Sequence, residues 1–351
     1  MAPIVRLLSH TAGMESHVCV TAQHRQMLDQ VLNLFEIKPD YDLDLMREDQ
    51  SLAQLSANIF THLDPVFEDF KPDWVLAQGD TTTVAVTALL SYFHRVRFGH
   101  VEAGLRTHDK WQPFPEEINR RVAGVTADLH FAPTEWSRQN LLREGIADEI
   151  IKVTGNTVID ALQYVTKQPE PQEITELTAK LLTTNRLILV TAHRRENFGR
   201  SIEDICRALK ELAGRGDVEI IYPVHLNPNV QEPVYRLLKD VKHITLLPPL
   251  DYLPLVHLMK HAALILTDSG GIQEEAPAFG IPTLVLRDVT ERPEGVAAGT
   301  LKLVGTQTSR IVETAKRLLD DDAEYAKMAK AANPYGDGHA AERIIQHLNN
   351  F

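Results

Sequence analysis

Two cysteines in 351 residues, Cys19 and Cys206, are too few and too distant in sequence for a disulfide framework. Their apolar and helical settings read as buried thiols in a reducing compartment. No run of about eighteen apolar residues exists to form a membrane helix, and no signal peptide is visible. The expectation is a cytoplasmic protein without a membrane partner. Metal and Ser-His-Asp chemistry are also missing: no Cys/His cluster has ligand spacing, and there is no G-x-S-x-G turn. Positive charge is in deficit, with 36 Lys and Arg against 48 Asp and Glu and a net charge of −12, which argues against a nucleic-acid partner. An anionic ligand must then find local basic residues. What is present is a 44% hydrophobic chain, long enough for two domains.

Short apolar runs alternate with amphipathic stretches, the pattern of parallel α/β architecture. The first set of expected strands covers 18–21, 74–77, 96–101, 129–132 and 150–153. A second set covers 187–191, 219–223, 244–247, 264–267 and 283–286. Helices are expected between them, for example at 82–93, 116–125, 201–213 and 271–279. The polar, proline-containing stretch Lys167-Gln168-Pro169-Glu170-Pro171-Gln172 is the linker candidate. The expected domains are 1–166 and 167–337, with an amphipathic helix in 338–351 returning to the first. They read as two Rossmann-like domains facing across a cleft, with ligands at the C-terminal ends of the strands. Residues Met1 to Leu8 read as a helix with no strand before it, so the first domain is expected to lack its initial strand.

The most telling segment is Thr267-Asp268-Ser269-Gly270-Gly271-Ile272-Gln273-Glu274-Glu275, after the apolar run Leu264-Ile265-Leu266. A strand, a Ser-Gly-Gly turn and a helix opening can cradle phosphate, because glycine lets backbone N–H groups approach an anion. A tight turn that merely needs small residues is an equal reading. Glu275, one turn on, could accept ribose hydroxyls. After the strand at 187–191 comes Ala192-His193-Arg194-Arg195, a plausible place for phosphate charge, and His225 holds the same place on the next strand. Arg292 follows the strand at 283–286 and could reach the same diphosphate.

The first domain offers acids instead. In Gln78-Gly79-Asp80-Thr81-Thr82-Thr83, Asp80 is either part of an N-cap cluster or catalytic. Glu102 lies beyond an apolar run and before Ala103-Gly104, where capping cannot explain a carboxylate; function is favoured. Glu116 and Arg120 are four apart on one helix face, which allows either an exposed ion pair or a carboxylate oriented by its helical partner. Acids in one domain and anion-binding groups in the other suit proton abstraction next to a diphosphate leaving group.

Together these motifs resemble the bacterial non-hydrolysing UDP-N-acetylglucosamine 2-epimerases over essentially the whole chain. Thr21-Ala22-Gln23-His24-Arg25-Gln26, Gly79-Asp80-Thr81-Thr82-Thr83, His100-Val101-Glu102-Ala103-Gly104-Leu105-Arg106 and Pro115-Glu116-Glu117 carry the likeness. So do Thr154-Gly155-Asn156-Thr157, His193-Arg194-Arg195-Glu196, the 267–277 segment, Thr290-Glu291-Arg292-Pro293-Glu294 and Asn333-Pro334-Tyr335-Gly336-Asp337-Gly338. The resemblance implies a GT-B-like fold and interconversion of UDP-GlcNAc and UDP-ManNAc with no cofactor and no metal. UDP is eliminated to 2-acetamidoglucal and added back, and the product supplies surface polysaccharide. By position, it implies acid/base roles for Asp80, Glu102 and Glu116, and a place near the UDP phosphates for His193. It implies UDP contacts for Ser269, Gly270, Gly271, Glu275 and Arg292. Gln23, His24, Gln26, Arg194 and His225 match positions for a second, activating UDP-GlcNAc. A homodimer is expected on the same ground. The family usually has a strand and a Gly-Thr-Arg-Pro-Glu-Ala-Ile-Lys segment before the equivalent of Met1-Ala2-Pro3. Its absence here is expected to lower stability and activity. A hydrolysing epimerase, a UDP-sugar glycosyltransferase of the same fold and an inactive UDP-sugar binder remain alternatives.

Overall fold

The computed structural model describes residues 1–22, 25–45, 47, 49–181 and 185–349, the side chains at 26 and 27 excepted. The chain divides into unit 1, Met1–Ala161 with Tyr335–Phe351, and unit 2, Leu162–Pro334. The expected joints were 166/167 and 337/338; the first observed division falls inside the helix Thr157–Val165.

In unit 1 the strands are β1 (Cys19–Val20), β2 (Tyr41–Asp42), β3 (Trp74–Gln78), β4 (Arg97–Val101), β5 (Leu129–Ala132) and β6 (Ile151–Val153). Unit 2 holds β7 (Arg186–Thr191), β8 (Val218–Pro223), β9 (Ile244–Leu247), β10 (Ala262–Thr267), β11 (Thr283–Val285) and β12 (Leu301–Leu303). All pairings between these strands are parallel. The ten expected strands are all present; β2 and β12, two and three residues long, were not foreseen. The fold is therefore α/β with two Rossmann-like units, as expected.

Unit 2 has the strand order β12-β11-β10-β7-β8-β9, the doubly wound arrangement with its first strand central. Successive residues Leu187, Ile188, Leu189 and Val190 of β7 are all buried, because helices cover both faces of a parallel sheet. On one face Ile188 and Val190 join Ile202, Ile205, Cys206 and Leu209 of the helix Arg200–Ala213. Cys206 is buried and Cys19 only half-buried. Burial pushes the Cys206 thiol up to about 12, and burial with nearby Asp42 pushes Cys19 to about 11, so both stay protonated and inert.

Unit 1 divides its strands into a four-stranded sheet, β3-β4-β5-β6, and the separate pair β1-β2. No strand among the described residues takes the central position that β7 fills in unit 2. A side-chain bond between Thr21 and Thr83 (3.1 Å) links the two pieces. The opening residues are helical, Ala2–Leu8, as the sequence suggested. Ile4 is fully buried in a cluster with Val101, Phe131 and Ile344. Ile344 belongs to the final helix, Ala340–Leu348, whose first backbone N–H groups at Ala340 and Ala341 donate to the Asp160 carboxylate (3.2 and 2.8 Å).

Candidate active site

Asp80 follows β3, and the helix Thr82–His94 opens directly after it. Thr81, not Asp80, is the N-cap: its hydroxyl accepts from Val84 N–H at 3.4 Å. Capping thus leaves the Asp80 carboxylate free for other work. Its Oδ2 accepts from Arg120 Nε (2.9 Å) and Nη2 (2.7 Å). Behind it His100 is buried and donates from Nε2 to the Gly79 carbonyl at 2.8 Å. Burial pushes its pKa down to about 4, so the ring is a neutral donor at working pH.

Glu102 follows β4, the strand next to β3, so Glu102 and Asp80 sit at the C-terminal ends of neighbouring parallel strands. Its φ is +64°, a left-handed conformation that costs a non-glycine residue on the order of 1 kcal/mol or more. Gln78 Nε2 donates to Glu102 Oε2 at 3.4 Å. A Cβ on Gly79 would stand only 3.6 Å from that oxygen.

Glu116 opens the helix Glu116–Thr126, and its Oε2 is shielded from solvent without a hydrogen-bond partner. The expected pairing of Glu116 with Arg120 does not form. Arg120, nearly buried, turns instead to Asp80 and to Glu117, whose Oε2 accepts at 3.1 Å. Glu117 is fully buried and also accepts from the backbone N–H groups of Thr107 (3.1 Å) and His108 (3.2 Å). Arg120 therefore connects the Asp80 turn to the 107–117 segment. Sequence reading missed this role because Asp80 lies 40 residues away.

In unit 2 the helix after β10 is shorter than expected. Gly270–Glu275 is α-helical and Ala276–Phe279 is a 3-10 turn, a break that Pro277 explains by removing a backbone donor. Ser269 is the N-cap, but its side chain makes no capping bond. A Cβ placed on Gly270 would lie 3.6 Å from both Arg194 Nη2 and Arg292 Nη2. Two guanidinium groups therefore converge over the glycine turn. Arg292 is held there by Glu274, which accepts from its Nε, and by Glu291 (3.4 Å).

Asp268, fully buried at the end of β10, gathers the loop after β7. Its Oδ2 accepts from His193 N–H (2.8 Å), Arg194 N–H (2.8 Å) and Asn197 Nδ2 (2.9 Å). The His193 ring stacks on His225 with centroids 5.4 Å apart and planes 14° from parallel. Burial holds the His193 pKa below its ordinary value, reinforced by His225 and Arg194 and opposed by Asp268.

His193, His225, Ser269, Tyr252 and Glu275 line one cavity of about 300 Å³, together with apolar Pro249 and Leu250. Glu275 is 6% exposed, and Tyr252 donates to its Oε1 at 2.9 Å. Burial pushes the Glu275 carboxyl up to about 8, countered in part by the Tyr252 bond and reinforced by Glu274. Tyr252 carried no sequence signal, being 23 residues upstream in an ordinary helix. A larger depression on unit 1, lined by Phe67, Lys71 and His94, holds none of the candidate groups. Gln23 and His24 lie outside the described residues, as does the Gln26 side chain. Among the described residues no cluster of three His, Cys, Asp or Glu side chains could hold a metal ion, and no helix is long and apolar enough to cross a membrane.

Two Rossmann-like units, one with carboxylates at its strand ends and the other with arginines over a Ser-Gly-Gly turn, define a nucleotide-sugar enzyme class. The UDP-N-acetylglucosamine 2-epimerase family model matches residues 6–349, and the chain belongs to that family. The Yersinia pestis UDP-N-acetylglucosamine 2-epimerase is 56% identical over 356 residues, covering 100% of this chain and 95% of that protein. The Escherichia coli K12 enzyme of the same name is 55% identical with the same coverage. Among solved structures, UDP-GlcNAc 2-epimerase from Neisseria meningitidis bound to UDP-GlcNAc superposes with a TM-score of 0.90 at 48% identity, covering 100% and 96% of the two chains. The Methanocaldococcus jannaschii UDP-GlcNAc 2-epimerase in complex with UDP-GlcNAc and UDP gives 0.81 at 32% identity, with the same coverage.

Proposed function

We propose that this protein interconverts UDP-GlcNAc and UDP-ManNAc by eliminating UDP across C1–C2 and adding it back after reprotonation of C2 on the opposite face. The observation that carries the reading is the end-to-end family match, which includes every motif bearing a candidate residue. Asp80, Glu102 and Glu116 are the acid/base groups. Arg120 pairs with Asp80 at 2.7 Å, and the shielded oxygen of Glu116 is unspent on structural bonds. The C2 hydrogen is not acidic, so most of the rate must come from stabilising the departing diphosphate. Arg292 and the Ser269–Gly271 turn serve that end with His193 beside them, and Glu275 takes the ribose hydroxyls.

Arg194 and His225 belong to an activating UDP-GlcNAc site on this reading, with Gln23, His24 and Gln26. Their place beside His193 and Gly270 supports a contact with diphosphate. We place the enzyme in the cytoplasm as a homodimer that supplies ManNAc units for surface polysaccharide; the exposed Tyr92, Phe93 and Val125 on unit 1 support self-association. The test is turnover of UDP-GlcNAc in deuterated water. Deuterium at C2 of both sugars is expected, and its absence under conditions where UDP binds would reject the epimerase reading.

A further inference from the structure

We propose that Asp268 is the positioning residue for His193, fixing its proton on Nδ1 and presenting an unprotonated, proton-accepting Nε2 to the substrate beside the diphosphate. The proposal deepens the epimerase reading and rests on it. Asp268 is fully buried, and its two oxygens have divided roles. Oδ2 is taken by three donors from the 193–197 loop. Oδ1 has no hydrogen-bond partner and stands 3.5 Å from His193 Nδ1. A buried carboxylate oxygen whose lone pairs accept no hydrogen bond is costly, so this one has a use the unliganded geometry only half meets. A carboxylate can only accept. The ring nitrogen facing it must therefore carry the proton, and the other nitrogen is left to meet the ligand.

The surroundings reinforce this orientation. The His225 ring runs nearly parallel to that of His193, with centroids 5.4 Å apart. His225 Nδ1 accepts from Asn227 N–H at 3.0 Å, which ties that ring to its own loop. The groups that bear on the charge of His193 are Asp268, His225 and Arg194, and Asp268 alone favours its protonated form. Backbone bonds to Oδ2 fix the carboxylate to the same loop that carries the histidine, so the pair moves as one piece. The arrangement matches the acceptor–imidazole pair of Ser-His-Asp enzymes, where the acid sets tautomer and orientation.

The test combines NMR with kinetics. In ¹⁵N-histidine spectra of the wild-type protein, with His193 assigned by its loss in His193→Gln, neutral His193 is expected to be protonated on Nδ1. In Asp268→Asn the amide oxygen can keep the three loop donors, which turns the amide nitrogen toward Nδ1. The tautomer then inverts, the His193 titration midpoint moves to lower pH, and kcat for C2 exchange falls by about 10²-fold or more. UDP affinity stays within about threefold, since no UDP contact is removed. The proposal is overturned by a wild-type His193 protonated on Nε2, by a kcat loss without tautomer inversion, or by inversion with kcat unchanged. The wild-type spectrum decides the matter even if the variant does not fold. Absence of C2 exchange in the wild type rejects the epimerase reading separately.

Discussion

Glu275 offers the sharpest quantitative test of the nucleotide site. Its carboxyl is pushed up to about 8 by burial, so at pH 7 most molecules hold it neutral. Tyr252 occupies Oε1, and on the proposed reading a ribose would present hydroxyl donors to what remains. Such a ligand prefers the ionised form, so UDP binding must release a proton whenever the free protein still holds it. Between pH 7 and 8.5 the ionised fraction rises from about one tenth to about three quarters, so UDP should bind about eightfold more tightly, roughly 1.2 kcal/mol. His193 titrates below its ordinary value and is neutral throughout this window, so it adds no slope. Isothermal titration in buffers of different ionisation enthalpy measures both the affinity and the proton released. Glu275→Gln should bind UDP more weakly than wild type at pH 8.5, with no pH slope. Tyr252→Phe should move the midpoint to higher pH, because the lost bond favours the carboxylate. Stability runs the other way. The folded protein keeps this proton between about 4.5 and 8 while the unfolded chain has lost it, so this group's contribution to stability falls as pH rises through that window. The thermal shift produced by UDP should grow over the same interval. A wild-type affinity that is flat or weakens from pH 7 to 8.5, or a Gln variant with the wild-type slope, would refute the reasoning.

Asp80→Asn and Glu102→Gln should each abolish deuterium incorporation at C2 while leaving UDP affinity intact; retained exchange removes that residue from the acid/base set. Arg120→Met strips Asp80 of its cation and leaves the buried Glu117 charge without its nearest partner. We expect a stability loss of about 3–5 kcal/mol in denaturant melts and a fall in kcat that Arg120→Lys only partly restores. Gly104→Ala tests the backbone that follows Glu102: at φ +90° its new Cβ would sit 2.3 Å from the Ser137 carbonyl oxygen. A loss of about 2–4 kcal/mol is expected, and a melting temperature within a degree or so of wild type would contradict the close approach.

Local signals explain what the sequence made legible. Leu187 to Val190 read as a strand because a parallel strand covered on both faces is apolar at every position. Ser269-Gly270-Gly271 read equally as an anion turn or as a tight turn needing small residues, because contiguity with strand and helix serves both. β2 and β12 escaped because two or three residues carry no periodicity, and one of each set is charged, Asp42 and Lys302. Asp80 was ambiguous for a specific reason: Asp and Thr are both good caps, and side-chain geometry alone assigns that task to Thr81. The residues missed at the site share one property. Arg120 acts on Asp80 across 40 positions, Tyr252 on Glu275 across 23, and Asp268 on the His193 backbone across 75. Each tunes the charge or direction of a group that was itself visible. A sequence displays the residue types a reaction needs at the ends of its strands. The partners that fix ionisation and tautomer come from neighbouring strands and helices, and only the folded register brings them within hydrogen-bond distance. Ionisation and tautomer are therefore the properties on which the tests above concentrate.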